Sequence, residues 1–272
     1  MTISGGIKVF EKSSSLFKDS GNATASTGNG AADSILSMNR YLRWDSVGSD
    51  DTTAETITIT FDSTTIDRIF IVDHNLKDFS ITYGSGASSF ANVVGIDGAL
   101  GGGIVETAFA QDTAYYEFDQ VTTDQINITA TKTQTVDAEK YITIFVTTNE
   151  LGTFEGYPNV RPQVDANEKR EQVQSGKFIT QKNFESFAAQ LSIEHSVQAD
   201  VTLVDTMYES QDPFLIWLCG GKYGSSNFSV NFKNWRLKDL YQVQTFNDMK
   251  TTFRDNSYVG SPITSIRMAE EV

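Results

Sequence analysis

The sequence predicts a mainly β protein, with an N-terminal jelly-roll β-sandwich followed by a second β-rich domain that carries one or two short helices. Two observations predict this fold class. Apolar and polar residues alternate from Thr56 to Phe61 and again from Phe79 to Tyr83, which is the period of a half-buried strand. Between these runs, Ile69 to Val72 is apolar at every position, which is typical of a strand buried on both faces.

The first domain is predicted to span residues 38–150. The segment from His74 to Asp78 supplies turn-forming residues between strands, and a glycine-rich loop follows from Gly95 to Gly103. Further strands are predicted at Ala114–Phe118, Gln125–Thr131 and Tyr141–Thr147. Many short strands separated by turns indicate an all-β domain.

Residues 1–37 are predicted to form an N-terminal arm. From Ser13 to Ser34 the chain is dominated by Ser, Gly, Ala, Thr and Asn, which provide too little apolar surface to pack. The sequence leaves two alternatives open for this arm. It is either a flexible terminus or a segment that becomes ordered on a neighbouring subunit.

A linker is predicted at residues 151–172, because all four prolines lie after residue 150 and this segment combines glycine, two prolines and a charge cluster. The C-terminal domain then covers residues 173–272 and opens with a strand-like segment, Lys177–Thr180, followed by an alternating run from Phe187 to Glu194. Asp200 can cap a short helix that ends near Gln211. The apolar run Phe214–Cys219 fits either a helical turn or a core strand.

The chain is strongly acidic, with a formal net charge of -14 and a pI of about 4.5. Phosphate backbones are bound by clustered Lys and Arg, so nucleic acid is not predicted as a partner. The longest apolar run, Phe214–Cys219, falls far short of the roughly 20 residues that a bilayer requires, so no membrane partner is predicted either. Cys219 is the only cysteine, which excludes an intramolecular disulfide.

No catalytic motif is present in the sequence, and an enzyme is not predicted. Triads and thiol nucleophiles need His or Cys, and the chain has only His74, His195 and Cys219, which lie in a turn, at a strand end and in an apolar run. These three residues are also too far apart for a zinc site. No cofactor is predicted.

Two weaker motifs, an acidic loop and a glycine-rich run, raise the alternatives of calcium binding and phosphate binding. Asp50, Asp51 and Glu55 form an acidic loop that offers oxygen ligands to calcium, with a solvated loop as the alternative, and the EF-hand pattern is missing. The run GIDGALGGGIVE is rich enough in glycine to approach a phosphate, but it lacks the GK[ST] ending and predicts a turn.

One family resemblance is carried by RYLRWDS and the following ETITITFDSTTIDRIFIVDHNLKDFSITYG. This stretch resembles the opening half of discoidin-type domains, the galactose-binding-like modules of the coagulation factor 5/8 C-terminal type. The matching elements are Trp44, Ile57–Phe61, Ile66–Ile71 and Phe79–Tyr83. The resemblance covers roughly residues 38–150 and implies a jelly-roll domain.

The form with HNL before FSITY resembles the discoidin-like modules of tailed bacteriophages. In the second half, YESQDPFLIWLCGG and FSVNFKNWRLKDLYQVQ are similar to the β-domain that accompanies such modules in phage tail and baseplate proteins. The resemblance implies a structural virion component of the viral tail, assembled in the host cytoplasm as a tail-tip, baseplate or adaptor protein. Its partners would be itself, as a cyclic homo-oligomer, and other tail or baseplate proteins.

The alternative hypothesis is a carbohydrate-binding module that attaches to host surface glycans. Aromatic rings stack on sugars, and the candidate rings near the predicted loops belong to Tyr41, Trp44, Tyr115 and Tyr116. Core packing is the competing interpretation for each ring. Whether Trp217 and Trp235 lie in a core or an interface is left open by the sequence.

Overall fold

A computed structural model of the chain describes residues 7–11, 22–27, 32–37, 41–48, 50–95, 98–154, 159–172, 178–194, 202–203, 206, 214–217, 240–245, 250–252 and 263–270. The described chain is mainly β, which confirms the predicted fold class. It divides into two compact units: among the described residues, the first holds 11–150 and the second holds 7–10 and those from Leu151 onward. No helix among these described residues is long and apolar enough to cross a membrane.

The strands are, in chain order, β1 (Ile7–Glu11), β2 (Asn22–Ala25), β3 (Trp44–Asp45), β4 (Glu55–His74), β5 (Leu76–Tyr83), β6 (Val93–Gly95), β7 (Gly98–Gly101), β8 (Ile104–Glu106), β9 (Thr113–Thr133), β10 (Tyr141–Thr148), β11 (Glu150–Phe154), β12 (Asn159–Gln172), β13 (Phe178–Glu194), β14 (Phe214–Trp217), β15 (Leu240–Thr245), β16 (Lys250–Thr252) and β17 (Ile263–Glu270). A 3-10 helix spans Ala32–Leu36.

Two long strands, β4 and β9, organise the first unit. The beginning of β4, from Glu55 to Thr60, pairs with the second half of β9, and after a register shift the rest of β4 pairs with the first half of β9. β5 and β8 extend the first of these pairings, whereas β10 and β3 extend the second. Because β4 and β9 pass from one layer to the other, the unit is an antiparallel β-sandwich.

The core of the sandwich follows the sequence pattern. Ile57, Ile59 and Phe61 are buried while the threonines between them lie on the outer face, as their alternation predicts. All four residues of the run Ile69 to Val72 are at most 2 % exposed, so the prediction that this strand is buried on both faces is confirmed.

Several predicted boundaries differ from the structure. The two strands predicted within residues 56–72 are one continuous strand, β4, whose register shifts lie between Thr60 and Thr64 and between Ile66 and Arg68. The two strands predicted in 114–131 are likewise one strand, β9. A β-bulge keeps a strand continuous while it bends, and the sequence offers no local signal that separates a bulge from a turn. The glycine-rich run forms the β6–β7 hairpin instead of a phosphate loop.

The prediction that residues 1–37 form an arm is wrong for the described segments Asn22–Ala25 and Ala32–Leu36. β2 pairs antiparallel with β4 from Asn22↔Thr60 to Ala25↔Ile57, and Ile35 and Leu36 of the 3-10 helix are buried. Small residues such as Ala23 fit against a neighbouring strand because backbone pairing does not require large side chains. β1 also belongs to a sheet, and residues 1–6, 12–21 and 28–31 of the predicted arm lie outside the described residues.

The second unit is an eight-stranded antiparallel sheet in the order β11-β1-β14-β15-β17-β13-β12, with β16 paired to β17. Its described core includes Val9, Phe10 and Phe154, which have no exposed surface, and Leu203, which is 6 % exposed. Gly152 packs closely against Leu203, since a Cβ on it would lie 3.0 Å from the leucine Cδ2 and would displace that side chain.

The linker predicted at residues 151–172 is also wrong. β12 occupies Asn159–Gln172 and pairs along its whole length with β13, so this segment belongs to the sheet. In the predicted helix after Asp200, Thr202, Leu203 and Thr206 are helical, and the other predicted helix residues lie outside the described set. Phe214–Trp217 is a strand, β14, which decides between the two alternatives for that run. Cys219 and Trp235 lie outside the described residues.

Candidate functional site

The loops of the first unit gather at one end of the sandwich, and we call this surface the loop end. It comprises the described residues of segments 41–54, 73–76, 107–113 and 133–141. The segments meet because the strand ends are in register: His74 at the end of β4 pairs with Ile142 near the start of β10, and Leu76 at the start of β5 pairs with Thr133 at the end of β9. Residues distant in sequence therefore share one surface.

Hydrogen bonds between the segments hold the loop end together. The side chain of Lys140 is buried and its Nζ donates to the carbonyl of Asp50 at 2.7 Å. Asn75 donates from Nδ2 to the carbonyl of Glu139 at 2.6 Å, and its Oδ1 accepts the N–H of Tyr141 at 2.9 Å. Side chains that bridge loop backbones in this way satisfy polar groups that the sheet does not pair.

At the loop end, Arg43 forms a salt bridge with Asp45 and lies near the ring of Tyr141. Arg43 donates from Nε to Asp45 Oδ2 at 3.1 Å, and its Nη2 forms an ion pair with Asp45 Oδ1 at 2.9 Å, so both carboxylate oxygens face the guanidinium. The Arg43 Cζ lies 4.7 Å from the centre of the Tyr141 ring, which is within cation–π range. β3 brings these groups together because Asp45 pairs directly with Tyr141.

Two further carboxylates, Asp73 and Asp112, lie close enough to affect the hydroxyl of Tyr141. Partial burial raises the pKa of Tyr141, and the negative charge of Asp73 and Asp112 raises it further, while Arg43 acts in the opposite direction. Asp73 accepts a hydrogen bond from Thr143 Oγ1 at 3.1 Å. The surface around Tyr141 thus combines an aromatic ring, one guanidinium and several carboxylates.

Exposed apolar side chains concentrate on the same end of the unit. Among the described residues of the first unit, five large hydrophobic side chains are exposed, and four of them lie in the loop end: Tyr41 at 97 %, Leu42 at 47 %, Val47 at 53 % and Val136 at 73 %. The Ser46 N–H donates to the Lys140 carbonyl at 2.8 Å, which brings the segment of Val47 beside that of Val136, and Tyr41 and Leu42 lie on the residues that lead into β3. The fifth, Val105, lies on β8.

Of the aromatic residues predicted to bind glycans, only Tyr41 presents its ring to solvent. Trp44 is 1 % exposed and its Nε1 donates to the carbonyl of Thr27, whereas Tyr115 and Tyr116 have no exposed surface and donate their hydroxyls to Glu117 and Glu106. A buried ring offers no face on which a sugar can stack. Trp44, Tyr115 and Tyr116 are core residues in this structure, and their predicted glycan contacts are not supported.

The calcium candidates Asp50, Asp51 and Glu55 do not converge. Asp50 accepts hydrogen bonds from Thr52 and Thr53, Asp51 accepts from Thr133, and Glu55 accepts from Ser26. No group of three His, Cys, Asp or Glu side chains with metal-binding geometry occurs among the described residues. Each carboxylate instead satisfies a separate turn or strand end.

His74 lies beneath the loop end and is only 1 % exposed. Its Nδ1 accepts the N–H of Leu76 at 3.1 Å, and its ring is stacked on Phe109 and packed edge-on against Phe79. Burial lowers the pKa of His74 to about 3, so the ring is neutral near pH 7. A buried neutral ring in an aromatic cluster is a structural element. His195 lies outside the described residues.

Sequence reasoning missed Arg43, Asp45 and Tyr141 as a group. The spacing of Arg43 and Asp45 two residues apart in an extended segment is a local signal that they share a face. Tyr141 lacks such a signal, because its position over Arg43 follows from the pairing of β3 with β10.

No family model and no curated protein matches the chain. Among solved structures, the chain is similar to chitosan-binding module 1 of a chitosanase/glucanase from Paenibacillus sp. IK-5, with 16% identity, a TM-score of 0.37, and coverage of 49% of this chain and 97% of that module. It is also similar to CpGH89CBM32-5 from Clostridium perfringens, solved in complex with GalNAc-β-1,3-galactose, with 13% identity, a TM-score of 0.37, and coverage of 50% and 99%.

A third similar structure is an α-L-fucosidase from Bacteroides thetaiotaomicron, with 13% identity and a TM-score of 0.40, of which the chain covers 29% while 51% of this chain is covered. Likenesses at these identities and TM-scores assign the chain to no family and to no ligand. The discoidin-like resemblance therefore stays a prediction.

Proposed function

We propose that the first unit is a non-catalytic glycan-binding module whose ligand surface is the loop end. The observation that carries this proposal is the concentration of exposed apolar side chains there, with the Tyr41 ring 97 % exposed. Soluble proteins seldom expose apolar groups together unless the surface binds something. Tyr41 lies three residues before Trp44 of β3, so the edge of the sandwich positions the segment that carries it.

Glycans are the ligand class that fits this mixture of groups. A sugar ring has an apolar C–H face that packs on an aromatic ring and an edge of hydroxyls that both donate and accept hydrogen bonds. The loop end offers the Tyr41 ring for the first and the polar groups of Arg43 and Asp45 for the second.

The experiment is a glycan array followed by titration calorimetry on the full chain, with Tyr41→Ala as the test variant and Val105→Ala as its matched control. Both substitutions remove an exposed apolar side chain, but Val105 lies on β8 outside the loop end. We expect the natural chain and Val105→Ala to bind alike and Tyr41→Ala to lose about tenfold in affinity or more.

Two results would contradict the proposal. One is an array on which the natural chain retains no glycan. The other is a reproducible glycan whose affinity is unchanged by Tyr41→Ala.

A virion tail component that assembles with itself and with other tail or baseplate proteins stays a prediction from the sequence resemblance. One feature limits how such assembly could form. β12 ends the strand order of the second unit, and its sequence contains Pro162 and a register shift between Asn167 and Glu168. Proline and bulges both disfavour pairing at a sheet edge. Light scattering on the purified chain measures the predicted cyclic oligomer directly, and a strict monomer would count against it.

A further inference from the structure

The guanidinium of Arg43 contacts both Asp45 and Tyr141 at the surface. Its Nε donates to Asp45 Oδ2, its Nη2 forms an ion pair with Asp45 Oδ1, and its Cζ lies 4.7 Å from the centre of the Tyr141 ring. A guanidinium has five N–H donors, so three remain. The described part of the chain provides no acceptor for them, and the side chain is 52 % exposed.

Asp45 leaves acceptor capacity beside these donors. A carboxylate has about four lone-pair positions, and Arg43 uses one on each oxygen. The side chain of Asp45 is 23 % exposed, so the unused positions can be reached from solvent. Donors from Arg43 and acceptors from Asp45 therefore lie side by side, because the salt bridge holds the two groups together.

This arrangement is complementary to two adjacent hydroxyls. Each sugar hydroxyl can accept from one N–H and donate to a carboxylate oxygen, so a neighbouring pair of hydroxyls can engage both members of the salt bridge at once. A lone hydroxyl would use only half of the arrangement.

The charge of the surface selects among glycans. Arg43 and Asp45 neutralise each other, and the carboxylates of Asp73 and Asp112 lie nearby in a chain with a net charge of -14. A uronic or sialic acid would bring a further negative charge to this surface, where no net positive charge compensates it.

From these observations we infer that the Arg43–Asp45 pair is the specificity-determining element of the site and recognises two adjacent hydroxyls of a neutral sugar, excluding anionic glycans. The inference rests on the proposed glycan-binding function. Arg43 and Asp45 read the hydroxyl edge, whereas Tyr41 packs against the sugar face.

The test uses the full chain and three sets of probes in titration calorimetry. The neutral probes are galactose-, glucose- and mannose-terminated disaccharides, the second set is the methyl glycosides of the same sugars lacking one hydroxyl each, and the anionic probes are polygalacturonate and sialyllactose. The variants are Arg43→Lys and Asp45→Asn. Lys132→Gln is the matched control, since Lys132 is 49 % exposed and pairs with Asp78 at 2.7 Å on strands outside this surface.

We expect one neutral probe to bind best, and removal of either of two adjacent hydroxyls to weaken its binding to the natural chain by about tenfold. Arg43→Lys and Asp45→Asn should reduce the affinity for the parent sugar by a similar factor. In these two variants, removal of the same hydroxyl from the sugar should have little further effect on the affinity. Lys132→Gln should behave as the natural chain. Circular dichroism of each variant confirms that the sandwich is intact.

The possible outcomes distinguish a failure of this inference from a failure of the glycan-binding proposal. If the natural chain binds a sugar through Tyr41 but Arg43→Lys and Asp45→Asn bind it unchanged, or if an anionic probe binds as well as the neutral one, the inference is wrong and the glycan-binding proposal stands. If no probe binds the natural chain, both fail.

Discussion

Arg43 and Arg68 of the first unit differ in exposure and in the number of their carboxylate partners. Arg43 lies on the loop end, half exposed, with one carboxylate partner and a tyrosine ring beneath it. Arg68 lies where β4 bends between the two layers, with its side chain 16 % exposed and three carboxylates around it: Asp67 at 3.4 Å, Glu117 at 3.9 Å and Glu150 at 2.6 Å.

The cluster around Arg68 anchors the chain where it leaves the first unit. Glu150, the last described residue of that unit, donates its backbone N–H to Asp67 Oδ1 at 3.1 Å and accepts from Arg68 at 2.6 Å and 3.2 Å. Burial raises the pKa of the Asp67 carboxyl, and the charge of Arg68 offsets part of that effect. Removing the cation would leave three partly buried carboxylates with no charge to balance them.

The comparison of the two arginines shows that burial determines whether an ion pair contributes to stability or remains available to a ligand. In water an exposed pair contributes little to stability, because screening and side-chain entropy offset the attraction, and its unused donors remain open to a ligand. A buried pair costs desolvation, so its groups must satisfy one another and none is left for a ligand. Four expected outcomes, taken from the largest to the smallest, test this contrast.

The largest effect is expected for Arg68→Met, which keeps the apolar stem and removes the charge. We expect a loss of about 3–5 kcal/mol in the free energy of unfolding, because Asp67, Glu117 and Glu150 remain partly buried. Urea unfolding measures it, with Lys132→Gln as the control for an exposed cation. A loss below about 1 kcal/mol would mean that solvent screens this cluster as it screens a surface pair.

A second outcome tests burial at the loop end itself, through His74. The pKa of His74 is about 3 in the folded chain and about 6.5 in the unfolded chain, so the unfolded chain binds the extra proton between these values. The stability that this neutral ring contributes is therefore fully present above pH 6.5 and is lost as the pH falls toward 3. Between pH 6 and pH 4.5 the loss is about 2 kcal/mol.

His74→Asn isolates this contribution, because an asparagine carbonyl can accept the Leu76 N–H in place of Nδ1 and does not titrate. Urea unfolding at several pH values should show a shallower decline for the variant than for the natural chain over pH 6 to 4.5. Parallel curves would show that His74 is not the group responsible.

The third outcome concerns the close packing of the buried Tyr116 ring against Gly95. A Cβ on Gly95 would lie 3.1 Å from the Tyr116 ring, so Gly95→Ala should cost about 1 kcal/mol as the ring shifts. Gly86→Ala is the matched control, since no atom lies within 4 Å of its added Cβ. Thermal unfolding compares the two, and equal midpoints would show that the packing around Tyr116 is loose enough to absorb a methyl group.

The smallest effect on stability is expected for Arg43→Met. The exposed pair with Asp45 should contribute no more than about 0.5 kcal/mol, so urea unfolding should scarcely change. The same substitution should abolish the discrimination between neighbouring hydroxyls that is proposed for the natural chain. A large loss of stability would instead assign Arg43 the structural role of Arg68.

Much of the fold could be predicted from the sequence because strand patterns are local. The alternation from Thr56 to Phe61 and the apolar run Ile69 to Val72 have the burial that their period indicates. The predictions fail for segments whose pairing strands are distant in sequence. Asn22–Ala25 and Asn159–Gln172 are composed like an arm and a linker, yet each is paired in a sheet, because backbone hydrogen bonds can be made by almost any residue.

The sequence by itself determined that the chain is mainly β and acidic, and that aromatic residues lie near the loops of the first domain. Only the tertiary structure decided which of these aromatic residues can be reached. Trp44 and Tyr41 are three residues apart and look alike as candidates, but Trp44 faces the core and Tyr41 faces solvent. The pairing of β3 with β10 places Tyr141 beneath Arg43, because register along a sheet joins residues that no local pattern connects.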